Sequence, residues 1–69
     1  MNQKELNIYF RKIRLLLPIY SKAEKQFLKD FKDSVFVFIE KNPLCTMDDV
    51  IERFSEPEEV VHDYISEAL

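Results

Sequence analysis

His62 and Cys45 are the single histidine and the single cysteine of this 69-residue chain. One of each cannot complete an ordinary Cys/His zinc site within a chain. No Cys–His pair is spaced for nucleophilic catalysis either. At 100° per residue, His62 falls opposite the apolar stripe of its helix. Glu58, Glu59 and Asp63 lie near it in sequence and could join it in a weak metal site shared between chains; a solvated surface histidine accounts for it more simply. Cys45 reads as a small apolar side chain before it reads as a reactive thiol. The carboxylate pairs Asp48–Asp49 and Glu58–Glu59 are adjacent in sequence, so each pair diverges by about 100° on a helix. Favourable charge at a helix start explains them better than acid–base work. The chain has no glycine, which excludes glycine-rich phosphate loops and dinucleotide fingerprints. The expectation is a protein that is not an enzyme, with no cofactor, no metal and no small-molecule substrate.

The elements that would position any site read as four helices. The first spans roughly Gln3 to Leu17. Its stripe is Leu6, Tyr9, Phe10, Ile13, Leu16 and Leu17, at three- and four-residue spacing, and Pro18 stops it. The second opens at Ser21, where Ser21 and Glu24 form a capping-box pattern. Phe27, Leu28, Phe31, Val35, Phe38 and Ile39 carry its stripe, with Lys22, Lys25, Lys29 and Lys32 on the other side. It ends near Asn42, before Pro43. The third, Met47 to Phe54, is short and capped by Thr46; Met47, Val50, Ile51 and Phe54 line it. The fourth starts at Pro57, a favoured first helical residue, with Val60, Val61, Tyr64, Ile65 and Ala68 as its stripe. The fold expected is all-α: a compact four-helix bundle with a short third helix, one domain over residues 1–69.

Hydrophobic residues at 46% and charged residues at 33% fit a globular chain rather than a disordered one. Residues 1–35 hold eight basic side chains against four acidic ones, a net of +4. Residues 36–69 hold two against nine, a net of −7. Such halves can attract each other within one fold or head to tail between copies; two separately solvated faces produce the same distribution. A lone cysteine suits a reducing compartment. The longest apolar runs, Leu15–Leu17 and Val35–Ile39, fall far short of the ~20 residues of a membrane span. The start lacks a signal-peptide layout. The expected location is the cytoplasm.

The last two helices superficially match a helix-turn-helix. Their segment from Glu56 onward carries Glu56, Glu58, Glu59, Asp63 and Glu67 and no Lys or Arg. Phosphate contact needs positive charge, so nucleic acid is not the expected partner. A DNA-binding or transcription-regulator accessory domain is kept as the alternative. Some apolar residues fall off the stripes: Ile8 and Leu15 on the first helix, Phe36 on the lysine side of the second. With Arg11, Lys12, Lys25, Lys29 and Lys32 they would form an apolar centre with a basic rim, the layout of a protein-contact surface. The competing arrangement folds them inward against Ile19 and Tyr20.

The stretch Leu16–Leu69 resembles the bacterial HAAS signalling-domain family. The resemblance rests on Leu17-Pro18, on the helix around Phe27-Leu28-Lys29-Asp30-Phe31, on Thr46 to Phe54, and above all on Ser55-Glu56-Pro57-Glu58-Glu59-Val60. It covers about 16–69 of the chain. Two features depart from the family: Ser55 stands where glycine is common, and the second helix is lysine-rich where the family is acidic. A left-handed turn at Ser55 would carry strain. The resemblance implies a small non-catalytic signalling or interaction module. It also implies a PadR-like regulator as protein partner, and a place at a membrane if the chain is a fragment of a membrane-associated regulator; the charge split and the off-stripe residues offer a second copy of the chain as the other partner.

Overall fold

A computed structural model describes residues 2–68. Met1 and Leu69, the ends of the expected 1–69 domain, and the Ala68 side chain, expected in the last stripe, lie outside the described residues. Four helices run through the rest: α1 (Gln3–Leu16), α2 (Lys22–Lys41), α3 (Met47–Phe54) and α4 (Pro57–Ala68). No strand occurs among the described residues, so the fold is all-α.

Local chemistry sets each helix end. Asn2 caps α1, its side-chain oxygen accepting from the Lys4 backbone N–H at 2.9 Å, a start the hydrophobic stripe alone does not reveal. α1 stops at Leu16, one residue earlier than expected, because Pro18 excludes the helical region for the residue before it. Leu17 is extended at ψ 124°, and its side chain turns into the core. Leu16, expected in the buried stripe, is exposed. The correction has the same cause: once Leu17 leaves the helix, it fills the last core position itself.

At the start of α2, the Glu24 carboxylate accepts from the Ser21 backbone N–H at 2.9 Å and from its hydroxyl. At the far end, the Asn42 side chain donates to the Phe38 carbonyl at 2.9 Å, closing the helix before Pro43. The Cys45 N–H then bonds the Asn42 carbonyl at 2.9 Å, making the tight turn into α3. There the Thr46 backbone N–H donates to Asp49 at 2.8 Å, and Asp49 returns its own N–H to the Thr46 hydroxyl. α3 and α4 meet at Ser55, which has φ 84° and ψ 168°. It is the one non-glycine residue with positive φ among the described residues. That region is essentially glycine territory and costs about 1–3 kcal/mol elsewhere.

α1 packs against both α4 and α2. Leu6, Tyr9, Phe10 and Ile13 of α1 are buried with Leu17, Leu28, Val35, Val50, Val60 and Val61. Ile13, Val35 and Val50 are fully enclosed. Aromatic rings tie the helices together around this centre. Phe31 meets Phe10 edge-on at 6.4 Å and Phe54 at 5.7 Å. Phe27 lies 4.2 Å from Tyr64, and Phe38 meets Phe54 at 5.6 Å. Contacts of this kind add about 0.5–1.5 kcal/mol each beyond area burial, which matters in a domain small enough to be marginal. No described helix is long and apolar enough to cross a membrane.

Candidate functional site

Phe10 and Tyr9 are neighbours on α1 with ring centroids 5.8 Å apart, yet each borders a different cleft. This splits the eight residues proposed from sequence as one surface. On the Phe10 flank, Phe36 of α2 packs edge-on against the Phe10 ring at 5.7 Å. The Lys32 ammonium sits over the same ring at 5.6 Å. Arg11 and Lys32 line a cleft of about 320 Å³ between α1 and α2, together with Arg14 and Tyr20. The Lys25 ammonium lies 5.8 Å from the centre of the Tyr20 ring. Lys25, Lys29, Lys32 and Phe36 follow three- and four-residue spacing, so they share one face of α2.

Ile8 and Lys12 belong to the other flank. They line a second cleft with Tyr9, Met47, Ile51 and Pro57, between α1 and the α3–α4 corner. Leu15 is 69% exposed. Two residues beyond the enclosed Ile13, its side chain points about 200° away from the core. The structure therefore brings Arg11, Lys25, Lys32 and Phe36 to one side and Ile8 and Lys12 to another, with Leu15 on the outward edge.

Ile8, Leu15 and Phe36 stay exposed, so they do not fold inward against Ile19 and Tyr20. Ile19 is 65% exposed, and Leu15, Leu16, Ile19 and Tyr20 form an exposed apolar run around buried Leu17. The periodicity of α1 could not reveal this run, since half of it lies in the connection to α2. Arg14 was also missed by sequence reasoning; its guanidinium stacks over the Tyr20 ring at 4.9 Å, a contact across the turn.

The residues with chemical range are dispersed. His62 is exposed on α4, and Cys45 is free and half-buried. No group of three or more His, Cys, Asp or Glu suited to a metal ion occurs among the described residues. Asp49 is engaged in capping α3, as its place at the helix start suggested. Glu24 has the most perturbed carboxyl: hydrogen bonds from the Ser21 hydroxyl, from Tyr64 and from the Ser21 N–H bring its pKa down to about 2. The Tyr64 hydroxyl donates to it at 2.7 Å, and that bond raises the phenol's own pKa. This constellation joins α4 to the start of α2. Its carboxylate accepts three hydrogen bonds, from the Ser21 N–H and hydroxyl and from Tyr64, which makes it a structural tie between the two helices.

The sequence pattern of a family of unknown function, DUF6120, matches residues 9–68. No curated protein and no solved structure matches the chain.

Proposed function

The chain belongs to DUF6120, and we propose that it is a small non-catalytic protein-interaction and signalling module of the cytoplasm. In this reading its helices form a compact four-helix bundle whose outer α1 and α2 surfaces dock a protein partner. The observation that carries the proposal is the exposed run Leu15, Leu16, Ile19 and Tyr20, continuous in sequence with the basic residues of both helices. Large exposed apolar groups rimmed by charge mark contact sites. The basic rim would steer toward an acidic partner surface. The resemblance to HAAS signalling domains supports the same reading and suggests a PadR-like regulator as partner. A second copy also fits, since Glu58, Glu59, Asp63 and Glu67 are exposed on α4 and would complement a basic face head to tail.

Light scattering across a concentration series tests the reading, with Leu15→Glu and Phe36→Glu as variants and co-purification as the second readout. Loss of self-association or of a co-purifying protein in folded variants supports it. A wild-type monomer at every concentration removes the second copy. If no protein co-purifies in a way that either variant disrupts, the docking surface is wrong.

A further inference from the structure

We propose that the cleft between α1 and α2 is a binding site for a phosphate monoester dianion. The inference goes beyond the docking reading and needs no protein partner. Three cations, Arg11, Arg14 and Lys32, line the cleft, and no carboxylate does. The sequence denies them local partners as well. The positions three and four residues away from Arg11 are Asn7, Ile8, Arg14 and Leu15. Around Arg14 they are Phe10, Arg11, Leu17 and Pro18. Around Lys32 they are Leu28, Lys29, Val35 and Phe36.

Aromatic rings hold two of the three charges. The Arg14 guanidinium lies over Tyr20 and the Lys32 ammonium over Phe10. A ring face positions a cation without neutralising it, so the positive charge stays available to a ligand. Buried Phe10 and Leu28 make the apolar floor, which strengthens any ion pair formed above it. Asn7 adds an amide donor and Tyr20 a hydroxyl at the rim. A single carboxylate would leave the three cations that line the cleft mostly uncompensated. A phosphomonoester carries close to two charges near neutral pH and three acceptor oxygens, and guanidinium forks match its geometry. The group could arrive on a free small molecule or on a phosphorylated side chain; both present the same dianion.

Amide-resolved NMR titrations of the full chain at low salt test the site. The probes are inorganic phosphate, an O-phosphoserine peptide, adenosine monophosphate and acetate. The expected result is saturable shifts centred on Asn7, Arg11, Arg14, Tyr20 and Lys32 for the phosphate probes. Arg11→Gln with Arg14→Gln should weaken binding at least about tenfold. Lys4→Gln with Lys41→Gln removes the same charge outside the cleft and should leave binding within about twofold. All four side chains are exposed, and circular dichroism verifies the fold of both variants. Tighter binding of the peptide identifies a phosphorylated chain as the source, and tighter binding of the nucleotide a free metabolite; either upholds the site. No saturable shift at millimolar phosphate overturns it. So do shifts spread over all surface cations, equal weakening by the two double variants, or acetate binding as well as phosphate.

Discussion

The Tyr9 hydroxyl donates a 2.7 Å hydrogen bond to the backbone carbonyl of Ser55, 46 residues further along the chain. Ser55 is the residue with φ 84°, so a side chain from α1 holds the one positive-φ corner among the described residues. The bond also explains how α3 and α4 can meet so abruptly. With the carbonyl satisfied from α1, the corner needs no further turn residues to solvate it.

Replacing Tyr9 with Phe keeps the ring and removes that donor. We expect a loss of about 1 kcal/mol, read as a lower urea midpoint with an unchanged slope. Burial, with the Glu56 charge nearby, pushes the Tyr9 phenol up to about 12 from its ordinary 10.0. The folded state therefore favours the protonated phenol. This contribution is complete below pH 10 and is lost as the pH rises toward 12. Tyr9→Phe should flatten the alkaline limb of the stability curve.

Ser55→Gly should stabilise the fold by about 1 kcal/mol. The native dihedrals cost serine about 1–3 kcal/mol, and glycine's larger unfolded-state entropy offsets part of the relief. Ser55→Ala keeps the steric cost and serves as the control. A glycine variant no more stable than the alanine variant in chemical denaturation would show that the corner is unstrained.

Stability should fall with acid through Glu24. Its folded pKa of about 2 lies below its ordinary 4.5, so the folded state favours the carboxylate. The contribution is full above pH 4.5 and disappears as the pH drops toward 2. Glu24→Gln should reduce the slope of stability against pH in that window. Because the carboxyl is solvent-accessible, added salt should weaken the effect. Tyr64→Phe should reproduce part of the change, since it removes one of the donors.

Ile13→Ala should cost about 2–5 kcal/mol, since Ile13 is fully enclosed. In so small a domain that is enough to leave much of the population unfolded. Leu44→Ala should change stability by under about 0.5 kcal/mol, because Leu44 is 95% exposed in the turn before α3. Thermal melts of the two variants check the contrast directly.

The ends of the helices were legible in the sequence because they are set by neighbours. Pro18 and Pro43 act on the residue before them, Ser21 with Glu24 and Thr46 with Asp49 act across three residues, and Pro57 fixes its own φ. The core faces of α1 and α2 followed from three- and four-residue spacing for the same reason. Leu16 escaped that logic, since its exposure depends on where Leu17 goes after Pro18. Spacing placed Ile8, Arg11, Leu15, Lys32 and Phe36 correctly off the stripes, yet gave no means to tell that Ile8 and Phe36 fall on opposite flanks of α1. Only the packing of α2 on one side, and of the α3–α4 corner on the other, separates them. The pairing of Arg14 with Tyr20, of Tyr64 with Glu24 and of Tyr9 with Ser55 has the same origin. Each joins groups from different elements or across a turn. Helical periodicity orders side chains around one axis and is silent on how several axes are set against one another; that geometry is decided by how the buried faces fit together.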